Sequence, residues 1–160
     1  MLPPQAIQPA KPVMFTRPML SVWAVLSVTR LASEYDVIAA VEDGRLRVAW
    51  NIAGSRAERK LLRVWAPSVS DFIQKVEPPA GVTTFEEFQG VIRSIFPRER
   101  PAISAGNVSR SLNCSGFHVS HLVRQGLLKV AQCGRARRPG APQMLDYPSV
   151  VAFLEQRRYP

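Results

Sequence analysis

The sequence predicts a mainly α fold with short β-hairpins, an α+β protein made of two tandem modules of one plan. Three observations carry this. Residues 103–128 hold two short helical patterns joined by a polar turn, a stretch from Val37 onward repeats part of that pattern 82 positions earlier, and each copy runs into a basic loop.

In chain order, residues 1–12 are proline-rich and weakly apolar, and are expected to form a flexible tail. Residues 19–28 are an uncharged run with Arg17 before it, which outwardly resembles a signal-peptide core. The run is too short to span a bilayer and continues through Leu26, Leu31 and Ala32 at helical spacing. A buried first helix is therefore expected.

Residues 37–49 and 119–131 then match at six positions with a constant offset of 82: Val37, Val41, Gly44, Leu46, Val48 and Ala49 against Val119, Val123, Gly126, Leu128, Val130 and Ala131. The likeness resumes where residues 68–74 match 149–155, now at an offset of 81. Placing the one-residue shift in the loop between them is the simplest expectation, because hairpin tips tolerate length change. The first module is accordingly assigned residues 13–76 and the second 102–160.

Between them, 77–101 is a linker with one amphipathic helix. Thr83 and Thr84 offer a cap, Glu86 and Glu87 place acids in the first turn, and Pro97 stops the helix. Phe85, Phe88, Val91, Ile92 and Ile95 make an apolar stripe, which either packs on the second module or forms a homo-oligomer or protein-partner face through Phe85, Phe88, Ile92 and Ile95.

In the second module, Val108, Leu112, Val119, Leu122 and Val123 keep helical spacing, interrupted at residues 113–116 by turn formers. The later helix opens at Ser115 or Gly116 and closes before Gly126, which is free to adopt the left-handed conformation. Residues 127–130 are β-compatible, 134–140 form a basic loop, and 144–147 read as a returning strand, the three together making a wing. Pro148 opens a closing helix over 149–157, with Val150, Val151, Phe153 and Leu154 as its buried side.

This succession of helix, turn, recognition helix, Gly-x-Leu, wing and aromatic-bearing closing helix resembles the excisionase and MerR-like winged helix-turn-helix DNA-binding family. It is also similar to the DNA-binding domains of phage terminase small subunits. The resemblance implies a transcriptional regulator or a recombination directionality factor (excisionase) of a phage or mobile element, with a DNA-packaging role as the alternative. A third alternative is a protein adaptor whose DNA binding is incidental.

Charge supports a polyanionic partner. The net charge is +9, from 21 basic and 12 acidic residues, and neutralising phosphates releases condensed counterions. The modules differ, however. Where the second recognition helix carries Ser115, Gly116, His118, His121 and Arg124, the first carries Glu34, Asp36, Glu42 and Asp43. Double-stranded DNA contact is therefore assigned to Ser115, Gly116, His118, His121 and Arg124, with Arg135, Arg137 and Arg138 of the second wing gripping phosphate or the minor groove. In the first wing Arg56, Arg59 and Lys60 could reach phosphate as well. Arg157 and Arg158 are explained by a helix end.

Cys114, His118 and His121, with Cys133 further on, raise the possibility of zinc. The repeat sets Ala32 opposite Cys114, so this cysteine is read as core packing, and no metal or cofactor is expected. Two cysteines without finger spacing place the chain in a reducing cytoplasm. Neither a phosphate-binding glycine loop nor a nucleophile elbow is found, and an enzyme is not expected.

Overall fold

The computed structural model describes residues 14–55, 60–97, 101–132 and 138–160. The proposed tail, Arg56, Arg59, Cys133, Arg135 and Arg137 lie outside them.

The chain begins with β1 (Met19–Ser21), which runs directly into α1 (Val22–Val28). Ser21 caps that helix by accepting the Ala24 N–H, and Thr29 ends it, its N–H and hydroxyl both donating to the Val25 carbonyl. The expected single buried helix through Leu31 is thus corrected to a strand and a short helix. Backbone pairing of Met19 and Leu20 with a later strand overrides the local helical spacing, and within α1 only Val25 is buried.

The helix α2 (Glu34–Glu42) follows, with Ser33 and Asp36 satisfying each other's backbone N–H in a reciprocal cap. Next come β2 (Ala49–Asn51), β3 (Leu62–Trp65) and α3 (Ala66–Ile73), then α4 (Phe85–Ile95). The remainder is β4 (Ala102–Ser104), α5 (Ala105–Ser111), α6 (Gly116–Arg124), β5 (Met144–Asp146), α7 (Tyr147–Gln156) and β6 (Arg158–Tyr159). This is an α+β fold with small antiparallel sheets.

The order of elements recurs. The succession β1, α1, α2, β2, β3, α3 is followed after α4 by β4, α5, α6, a single bridge at Val130, β5 and α7. Individual bonds recur with it: Ala66 N–H donates to the Pro18 carbonyl as Tyr147 N–H does to that of Pro101. Gly44 and Gly126 close their helices at φ +76° and +74°. Leu46 and Leu128 then turn back to donate to the carbonyls of Ala40 and Leu122.

The one-residue shift is not in the wing. Ala49 pairs with Val64, and Val130 with Leu145, so these strands already correspond at an offset of 81. Arg47 and Val48 separate Leu46 from Ala49, whereas Lys129 alone separates Leu128 from Val130. The identical residues Val48 and Val130 therefore do not share an environment: Val48 is 3% exposed and Val130 48%.

The four-stranded sheet, ordered β1-β3-β2-β6, lies between two cores. Alternation along its strands sends Leu20, Ala49 and Val64 to one face, where they meet Val25, Val37, Val41 and Val69. Met19, Val48, Trp50 and Ile52 go to the other core, with α4, α5, α6 and α7. In the second sheet β4 pairs with β5, so the returning strand at 144–146 finds its main partner in residues before α5. Among the described residues, only the Val130 bridge joins it to the segment that was expected to make the wing hairpin.

The stripe of α4 is internal. Phe88, Ile92 and Ile95 are buried, Phe88 lies 5.6 Å from the Trp50 ring, and Gln89 bonds Glu155 on α7 at 3.0 Å. Tyr147 on α7 fixes the far end of this helix by donating to the Phe96 carbonyl at 2.8 Å. The partner face through Phe85, Phe88, Ile92 and Ile95 is thereby corrected: three of the four are consumed by the core, and Phe85 alone is exposed, at 58%.

Candidate nucleic-acid interface

The segment 103–128 folds as two helices about a tight turn. Ser104 caps α5 on the Asn107 N–H, and Ser115 caps α6 on that of His118 at 3.1 Å. Asn113 takes φ +51° between them, and Ser109 steadies the turn by donating to the Cys114 carbonyl at 2.7 Å. Val108, Leu112, Val119 and Leu122 seat the pair on the core.

The first half of the chain holds this turn. Arg63 on β3 is 8% exposed, and its Nε donates to the carbonyls of Leu112 and Asn113, both at 3.0 Å, while Nη2 donates to Asn113 at 2.8 Å. Those carbonyls end α5 and have no intrahelical partner, so the guanidinium satisfies them. Arg17 adds a bond to the Asn113 side chain at 2.6 Å. Burial lowers the Arg63 pKa, and burial pushes the neighbouring Cys114 thiol up to about 11 against the opposing pull of Arg63 and Arg17.

What faces outward on α6 is a ridge. Phe117, Ser120 and Arg124 are exposed, spaced three and four apart, with the exposed Ser115 and Gly116 at its start. The Arg124 guanidinium sits over the Phe117 ring, 5.5 Å from its centre. No carboxylate is on this helix.

Of the residues assigned to DNA contact from sequence, Ser115, Gly116 and Arg124 belong to the ridge. His118 does not: its Nε2 is 2.7 Å from the Ile52 carbonyl, so the ring is engaged by the first half of the chain. It borders a cleft of about 580 Å3 whose other lining residues come from the first half, among them Trp23, Glu34, Lys60 and Arg63. His121 is half-buried beside it, with ring centres 6.3 Å apart. Lys60 is exposed but stacks over Tyr159, 5.0 Å from the ring centre, and Arg138 is exposed.

Arg157 and Arg158 are braces and not a helix-end effect. Arg157 donates to Gly54 at 2.7 Å and Arg158 to Thr83 at 2.6 Å, each guanidinium also lying 5.3 Å from a ring centre, Phe153 and Phe88 respectively. Sequence reasoning missed Phe117, Ser120 and Arg63. An aromatic off the apolar stripe was the available signal for Phe117, whereas Arg63 reaches across fifty residues and leaves no local trace.

Among the described residues no group of three His, Cys, Asp or Glu side chains converges as a metal site, and no helix is long and apolar enough to cross a membrane. Comparison with family models, curated proteins and solved structures finds no match to this chain.

Proposed function

We propose that the chain binds double-stranded DNA through two tandem winged helix-turn-helix modules, of which the second enters the major groove with α6. The observation that carries this reading is the ridge Gly116, Phe117, Ser120 and Arg124: exposed, without carboxylates, and on a protein of net charge +9. Small residues at 115, 116 and 120 let the helix backbone approach base edges, and Arg124 supplies donors for guanine or phosphate. Wing residues Arg135, Arg137 and Arg138 hold the adjoining backbone.

In this reading the first module is a support. Its α2 carries Glu34, Asp36 and Glu42, which phosphates repel, while Arg63 and Arg17 fix the turn that aims α6. The resemblance noted above makes a regulator or recombination directionality factor the first candidate for the biological role, in the cytoplasm. A terminase small subunit predicts a ring, and light scattering separates a ring from a monomer or dimer. The adaptor alternative loses its apolar face to the core.

The test is the salt dependence of binding to random-sequence duplex. Affinity is expected to fall steeply with salt, and Arg124→Ala and Arg138→Ala each to reduce the logarithmic slope by about 0.9, the value of one phosphate contact. Binding that is absent, or indifferent to salt, refutes the proposal.

A further inference from the structure

Phe117 shares its exposure with Trp23, Tyr35 and Phe85, but it alone of these stands on the outward side of α6, a helix without carboxylates. It is the second residue of α6, 76% exposed, and outside both cores. Leaving such a ring in water forgoes the gain of burial. Its neighbours on the ridge, Gly116 and Ser120, are too small to screen it. Arg124 covers one side of the ring at 5.5 Å, which orders both side chains along the same line.

Duplex DNA offers few groups to a ring of this kind. A phenyl has no donor for a phosphate oxygen and no donor or acceptor for a base edge, so the backbone and the guanine, cytosine and adenine edges offer it no hydrogen bond. The one apolar group in the major groove is the 5-methyl of thymine. We infer that Phe117 is a specificity-determining residue that packs on a thymine methyl, with Arg124 aligned beside it; this rests on the DNA-binding reading given above. The comparable position in the first half, Tyr35, is 82% exposed but stands between Glu34 and Asp36, which keeps it from the same use.

The probe is a duplex enriched by the wild-type protein from a random-sequence library, with each thymine replaced in turn by deoxyuridine, a change that removes the methyl alone. At one position the replacement is expected to weaken wild-type binding about fourfold, the size set by one buried carbon. Phe117→Ala is expected to bind the thymine duplex that weakly and to ignore the replacement, while Phe117→Leu keeps the discrimination. Because the ring is exposed and its contact is the exposed Arg124 side chain, both variants should melt within a few degrees of the wild type. Equal wild-type affinity for thymine and uracil at every position, or discrimination surviving in Phe117→Ala, overturns the inference and leaves DNA binding intact. Failure of the library to enrich any duplex overturns the DNA-binding reading itself.

Discussion

The helices α2 and α6 are the same object with opposite surfaces. Each has nine residues, a serine cap on its third N–H, an exposed aromatic at its second position, and a glycine with positive φ after it. Their buried sides also agree, with Val37 and Val119 at 0% and 1% exposure. They part company where burial imposes nothing. At the positions of Gly116 and Arg124 on the outward side of α6, α2 bears Glu34 and Glu42. Shape is conserved by the core and the caps, while charge is free to change, so the two can share a scaffold and differ in what they touch.

The comparison can be broken first at Arg63, whose position in the second half is taken by Met144. Arg63→Met removes the donors to Leu112 and Asn113 and is expected to cost about 1–3 kcal/mol for each carbonyl left unpaired. Chemical denaturation measures it. A loss within error would mean that water satisfies the turn and that the halves are independent there.

The caps sharpen the likeness. Ser33→Ala and Ser115→Ala each remove one side-chain acceptor from equivalent N–H groups and should each cost about 1 kcal/mol. Melting temperatures of the two variants, compared side by side, ought to shift by similar amounts. A large imbalance would show that α2 and α6 are not held alike.

An effect confined to alkaline pH concerns Cys114, which stands opposite Ala32. Its thiol is raised to about 11 from an ordinary 9.0, chiefly by burial. The folded state therefore favours the protonated form, so the thiol's contribution to stability is complete below pH 9 and is lost as pH rises towards 11. Cys114→Ala should flatten stability across that interval, and alkylation of the native thiol at pH 8 should be slower than that of a free cysteine. Rapid alkylation would contradict the partial burial of the site.

Much of this was legible in the sequence, for identifiable reasons. The helices α2, α4 and α6 announce themselves because caps, apolar spacing and closing glycines are local, and the capping box of α4 at Thr84 and Glu87 forms as its residues suggest. The strands β1 and β4 were not legible. Three residues cannot display an alternating pattern, and both strands are defined by partners forty or more positions away. Sequence identity misled at Val48 and Val130, where a one-residue difference before the strand turns matching letters into different surroundings. For the candidate interface, periodicity located the helix and the outward positions of Ser115, Gly116 and Arg124, but not the place of His118, which depends on Ile52, a residue no local pattern connects to it.

The strand β6 follows α7 in the chain but pairs with β2, where Ala49 meets Tyr159 and Trp50 meets Arg158. A fragment cut after the first half would carry an unpaired strand edge and turn Trp50 and Ile52 to water, the ingredients of sticking to its own kind. The last strand thus closes the sheet begun by the first half, and a cut between them opens it.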